Sequence, residues 1–147
     1  MSRGYFGIGA YCPKTDTNIG TLLRSAQCFG ADFTFVIGAK GLHKQASNTT
    51  KTHRHIPHYE YSNFEAFLNG MPIERTLIGI ETGGASLPEY RHPDRAVYLL
   101  GREDSGLPQC VLERCNAVLT IPTEFCLNVA VAGSIALYDR VMKGAVS

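Results

Sequence analysis

No run of apolar residues in this chain approaches the roughly 20 that a bilayer-crossing helix needs, so a membrane-embedded protein is not expected. The start, Met1-Ser2-Arg3, leads into a short apolar segment with no cleavage-type site, which argues against a secretory or transit peptide. There is no internal repeat, no low-complexity tract and no linker-like shift in composition. One domain spanning residues 1–147 is therefore expected, with no separate appended module. The formal net charge is only +1, too small for a global field that would advertise a polyanionic partner. No Gly-x-Gly-x-x-Gly follows the first strand, because the glycines at 4, 7 and 9 lie before and within it, and this disfavours a Rossmann dinucleotide site. No trusted metal spacing is present either: His53-x-His55-x-x-His58 has no acidic or thiol ligand nearby, and Cys110 and Cys115 have no second pair. The expected metal is none. The five cysteines, Cys12, Cys28, Cys110, Cys115 and Cys126, are odd in number, and most sit in apolar segments. Reduced, buried thiols in a cytoplasmic protein are the reading.

Hydrophobic residues make up 44% and charged residues 18%, which is enough apolar material for a proper core. Short β-rich runs alternate with helical patterns. Tyr5 to Tyr11 reads as a strand, about Ile19 to Phe29 as a helix with Asn18 or Thr17 as its cap and Gly30 as its stop, and Phe33 to Ile37 as a second strand. A short strand near Ile56 to Tyr61 and a weak helix around Asn63 to Leu68 follow. Thr76 to Glu81 reads as a buried strand ending in the turn Thr82-Gly83-Gly84, where a ligand or another backbone can come close. Ala96 to Leu100 is another buried strand, breaking into Gly101 to Pro108, with a short helix after Pro108. Ala117 to Ile121 is the last strand, and a final helix should bury Leu127, Val131, Ile135, Tyr138 and Met142. The expected class is α/β, a mostly parallel sheet of five or six strands with helices on both faces. Ligands in such sheets bind beyond the carboxyl ends of strands, where the loops after Ile80, Leu100 and Ile121 lie.

Charge is unevenly spread. Gly38 to His58 holds Lys40, Lys44, Lys51, Arg54 and four histidines with no acidic residue. A solvated basic surface is the plain reading, and phosphate contacts with RNA are the sharper one.

Three spaced constellations then stand out: Asn18-x-Gly20-x-x-x-Arg24, Gly101-Arg102-Glu103-x-x-Gly106-Leu107, and Ile121-Pro122 followed by Leu127-Asn128-Val129. In that order they resemble the three motifs of SPOUT methyltransferases, closest to the SpoU/TrmH type of RNA ribose 2′-O-methyltransferase. The resemblance implies a C-terminal deep trefoil knot. It also implies bent S-adenosylmethionine in the knotted loops and a homodimer with the active site at the interface. By the same resemblance Ile80, Gly101, Ile121 and Leu127 are cofactor-binding positions, to which the glycine-bearing turn adds Thr82 and Gly83 and the third motif Cys126, and Arg24, Asn18, Glu103 and Asn128 form the catalytic set. The family assigns the arginine to activating the acceptor hydroxyl. A guanidinium keeps its proton, so a phosphate clamp is the physical alternative, with Glu103 as a competing base. Two departures are visible: Cys126 stands where relatives commonly carry serine, and the loop between Pro122 and Cys126 is shorter than usual. Cys126 either packs or acts as a nucleophile, and ribose methylation needs no covalent step. The expected partner is RNA, tRNA ahead of rRNA. The rival readings are a catalytically silent RNA-binding dimer and a flavodoxin-like nucleotide-binding protein.

Overall fold

The computed structural model describes residues 4–39, 56–72 and 74–146. Most of the basic stretch, including its lysines, Arg54 and three of its histidines, lies outside the described residues. The elements are β1 (Tyr5–Tyr11), α1 (Asp16–Cys28), β2 (Phe33–Ile37), β3 (His58–Tyr61), α2 (Phe64–Gly70), β4 (Thr76–Ser86), β5 (Arg95–Leu100), α3 (Gln109–Leu112), β6 (Ala117–Thr120) and α4 (Val129–Lys143), with a 3₁₀ turn at Leu87–Glu89. Among the described residues the strands form one six-stranded sheet in the order β3-β2-β1-β5-β4-β6, with every pairing parallel.

Period-two alternation in the strands assigns side chains to two cores. Phe6 and Ile8 of β1, Ile78 and Ile80 of β4, and Tyr98 and Leu100 of β5 face α1 and α4. On the other face Phe33, Phe35, Leu77, Val97 and Leu99 meet Phe67 of α2 and Val111 of α3. Gly7 and Gly9 make that second core possible, because a Cβ at either position would run into the Phe33 or Phe35 ring. Phe35 in turn stacks on Phe67 at 4.6 Å. No helix among the described residues is long and apolar enough to cross a membrane.

Four expectations need correction. α1 begins at Asp16, earlier than the apolar pattern suggested, and its cap is Thr15, whose Oγ1 accepts from Asn18 N at 3.3 Å in an extended conformation. The Asn18 side chain is thereby released for other partners. β4 runs on through the glycine pair to Ser86, with a register shift against β6 between Ile80 and Ala85. Gly83, at φ +82°, absorbs the irregularity. Gly84 N donates to Thr120 Oγ1, and that hydroxyl donates to Glu81 O, both at 2.7 Å.

The third correction concerns α4. Its buried face is Ala130, Gly133, Ala136, Leu137 and Arg140, while Val131 is 45%, Tyr138 55% and Met142 55% exposed. Small residues let α4 approach α1 closely, since a Cβ on Gly133 would meet Leu22. Arg140 can be buried because its guanidinium donates to Pro93 O (2.8 Å), Asp94 O (3.0 Å) and Tyr98 Oη (3.0 Å) and lies 4.5 Å over the Phe6 ring. Beside it, buried His92 bridges Tyr98 Oη (2.6 Å) and Asp139 (2.7 Å), and burial pushes the Tyr98 phenol up to about 12 despite Arg140. Finally, the thiols are all free but not buried: Cys28, Cys110 and Cys126 are exposed, and Cys12 and Cys115 half-buried. These cysteines lie at element ends and loops, where an apolar sequence neighbourhood does not enforce burial.

Candidate active site

Parallel pairing of β4 with β5 and β6 sets the irregular stretch of β4 after Ile80 beside the ends of β5 and β6, and this stretch and the loops after β5 and β6 line a cleft of about 520 Å³. That volume is within the range of small-molecule sites. Ile80, Thr82, Gly101, Ile121, Cys126 and Leu127 all line it. Gly83 does not, and open space surrounds the position a Cβ would take there. Sequence reasoning missed Glu81, Leu100 and Ala132, which line the same cleft together with the motif residues Leu107 and Val129. Of these, Glu81 left a signal, as a lone carboxylate ending an apolar strand.

Glu81 braces two loops together. Its Oε2 accepts from Leu107 N at 2.7 Å and its Oε1 from Thr82 N at 2.9 Å. Within the second loop Arg102 and Gly106 exchange backbone hydrogen bonds of 3.2 and 3.0 Å, and Gly106 sits at φ +69°. A Cβ on Gly101 would strike the Gly106–Leu107 backbone. Only glycine allows this loop to fold back so tightly on its own strand end.

A polar chain links the cleft to the helices. Asn128 caps α4 by accepting from Val131 N at 3.1 Å, and its Nδ2 donates to Asn18 Oδ1 at 2.9 Å. Asn18 Nδ2 in turn donates to Glu103 Oε2 at 2.8 Å. The Glu103 carboxylate also accepts from Lys14 N (3.0 and 3.2 Å) and Thr15 Oγ1 (3.4 Å). Burial would raise the Glu103 carboxyl, but the Asn18 amide and the backbone N–H groups outweigh it and hold it below its ordinary value. Next to it, Lys14 and Arg102 hold Asp104 well below the usual carboxylate range. So Asn18, Glu103 and Asn128 are brought together, one each from α1, the β5 loop and the start of α4.

Arg24 stands apart. It lies on the solvent side of α1, exposed, and makes no hydrogen bond or ion pair among the described residues. It does not line the cleft. The Ser25–Ser134 hydroxyl contact of 2.6 Å ties its helix to α4. Among the described residues no group of three or more His, Cys, Asp or Glu could hold a metal ion. The expected role of the histidine cluster cannot be followed beyond His58, whose Nδ1 lies 2.8 Å from Thr34 Oγ1.

A parallel sheet whose strand-end loops fold over a glycine-backed cleft defines a cofactor-binding α/β domain. The family model described as the SpoU rRNA Methylase family matches residues 6–138, and the chain belongs to that family. Among curated relatives, a tRNA (cytidine(34)-2′-O)-methyltransferase of Ancylobacter novellus is 27% identical over 143 residues, covering 91% of this chain and 90% of its own. A solved structure described as giving structural insights into the 2-OH methylation of C/U34 on tRNA superposes with TM-score 0.81 at 27% identity, covering 97% of both chains. The SpoU methyltransferase AviRb from Streptomyces viridochromogenes, solved with the cofactor AdoMet, matches in fold at TM-score 0.84 and 23% identity over 97% of this chain. This chain spans 59% of AviRb.

Proposed function

We propose that the chain is an S-adenosylmethionine-dependent RNA methyltransferase that modifies a ribose 2′-hydroxyl in tRNA. The observation that carries this reading is the cleft itself. Ile80, Gly101, Ile121 and Leu127, marked by motif resemblance, line one cavity together with Thr82 and Cys126, and Gly101 is closed off to any side chain. Its donor set suits the cofactor: apolar Ile80, Leu100 and Leu127 offer surface to an adenine, and the turns at Thr82 and Gly101 offer backbone groups at close range. When bound, S-adenosylmethionine supplies a methyl group on a sulfonium that departs as a neutral thioether. The curated relative matched along 90% of its own length is named a tRNA methyltransferase, which puts tRNA ahead of rRNA as substrate.

The chain's own residues then have separable work. With little charge to relay, alignment of the acceptor oxygen is the main requirement, and positioning can supply much of the rate. The exposed Arg24 guanidinium, without a side-chain partner among the described residues, suits a bidentate grip on a backbone phosphate, orienting the ribose and easing alkoxide charge. The hydroxyl proton leaves to a phosphate oxygen or water. Glu103, saturated by hydrogen bonds and held anionic, serves as a brace between α1 and the cofactor loop rather than as the base.

The active unit in this reading is a cytoplasmic homodimer of single knotted domains, with Arg24 facing a cleft across the interface. Supporting it is the apolar stripe Val131, Tyr138 and Met142 on α4, joined by Phe29, whose ring lies 6.3 Å from Tyr138. The trefoil knot would pass the segment before α4 through the loops that bracket the cleft.

Calorimetric titration with S-adenosylmethionine tests the core of the proposal. Saturable one-site binding is expected, with at least a tenfold loss in Gly101→Ala because the new Cβ displaces the loop. Absence of heat at high cofactor concentration would rule out the enzyme reading.

A further inference from the structure

Phe125 is the most exposed large apolar side chain among the described residues, at 84%. It sits in the loop between β6 and α4, and the backbone there is shaped by Thr123 Oγ1 donating to Phe125 O at 2.7 Å. Thr123 and Cys126 on either side of it line the cleft, yet Phe125 does not. Its ring therefore stands at the rim, turned outward. An aromatic ring held at full exposure forfeits its burial energy unless something covers it in the working state.

Two coverings are conceivable, and the position of the ring favours one. The stripe on α4 proposed to meet a second protomer is continuous along one helix face, at positions 131, 138 and 142. Exposed Cys126 and Asn128 and the half-buried Leu127 and Val129 separate Phe125 from it along the chain, and exposed Glu124 flanks it on the other side. A lone ring in a polar setting does not extend that surface. The acceptor ribose, by contrast, must bring its hydroxyl within about 3–3.5 Å of the reacting carbon at this same cleft. The base on that ribose, or its neighbour, then falls at the rim. A flat, exposed aromatic face is how proteins hold unstacked RNA bases, since every base offers a π surface.

We propose that Phe125 is a substrate-binding residue that stacks on an unpaired base of the RNA beside the methyl-accepting ribose. This rests on the reading of the cleft as a methyltransferase site. The stacking partner is chosen by exposure rather than by hydrogen-bond pattern, so Phe125 favours a loop or an unpaired strand over duplex RNA.

The test compares the parent chain, Phe125→Ala and Phe125→Trp, using an unmodified tRNA transcript with cytidine at position 34, the position in the relative's name. Methyl transfer is measured under steady state, direct binding by anisotropy of the fluorescein-labelled transcript, cofactor affinity by calorimetry and mass by sedimentation. Phe125→Ala should raise KM for the transcript and weaken its binding about 5-fold or more, leaving kcat, cofactor affinity and sedimentation unchanged. Phe125→Trp should restore the parent values. Unchanged RNA binding in Phe125→Ala would overturn the proposal, as would a shift to a lighter species, which would make the ring a subunit contact. If the parent binds the transcript without transferring methyl, the function proposed above fails and the anisotropy comparison alone decides Phe125. A parent that does not bind RNA overturns both.

Discussion

Asn18 can be made to report on the polar chain that joins the two halves of the site. Asn18→Asp keeps the shape but turns the Nδ2 that donates to Glu103 Oε2 at 2.8 Å into a carboxylate oxygen. One hydrogen bond to a charged group is lost and two like charges are left about 3 Å apart. Because Asn18 and Glu103 are only partly buried, solvent screening keeps the repulsion near the low end of the Coulomb range. The expected cost is about 2–3 kcal/mol, combining that repulsion with a lost charge-assisted hydrogen bond. In a domain of this size that lowers the melting temperature by about 4–10 °C. Adding Glu103→Gln should rescue it, since the new amide can donate to Asp at 18 and still accept from Lys14 N. Urea denaturation of the parent, both single variants and the double closes the cycle. A coupling of more than about 1 kcal/mol in favour of the double variant is expected. Additive effects within about 0.5 kcal/mol would show that Asn18 and Glu103 do not interact, and the brace would have to be abandoned.

Arg24→Ala should lower methyl transfer by two orders of magnitude or more while calorimetry finds cofactor affinity intact, and Arg24→Lys should recover little because a point charge does not reproduce the fork. If α4 carries the proposed dimer interface, Tyr138→Glu combined with Met142→Glu should yield monomers by sedimentation and abolish transfer, with circular dichroism unchanged, since both side chains are exposed on the folded chain. His92 makes stability pH-dependent. Burial pushes its imidazole below its ordinary value despite the Asp139 hydrogen bond, with Arg140 and Lys143 adding to the depression. The unfolded chain then takes up a proton near pH 6.5 that the folded chain resists, so stability is full above that pH and falls as pH drops toward the folded value. Thermal melts from pH 7.5 to 5 should show this slope in the parent and a shallower one in His92→Gln.

Much of the architecture was legible because buried parallel strands are short apolar runs separated by glycine turns. The cleft was legible through the motif resemblance that marked Ile80, Gly101, Ile121 and Leu127, and at Gly101 the backbone leaves no room for a side chain. α4 was misread because it carries two apolar stripes. Large residues at 131, 135, 138 and 142 form one, and small residues at 130, 133 and 136 form the other. Hydrophobicity favours the first, but close approach to Leu22 and the sheet selected the second. Burial of Arg140 could not be read locally, because its acceptors Pro93, Asp94 and Tyr98 are more than 40 positions away in sequence. The same holds for Glu81, which belongs to the cleft only once β4, β5 and β6 are side by side. The pattern offered Asn18 or Thr17 as the cap of α1, but Thr15 takes it, and the Asn18 side chain reaches Glu103 and Asn128 instead.

The central claim, methyl transfer to a ribose hydroxyl, is tested most directly by incubating the protein with tritiated S-adenosylmethionine and unmodified tRNA and then digesting the RNA in alkali. A 2′-O-methyl group removes the hydroxyl that attacks the adjoining phosphodiester, so the account predicts label in alkali-resistant dinucleotides. Label confined to mononucleotides would place the methyl on a base, and no incorporation into tRNA or rRNA would contradict the account altogether.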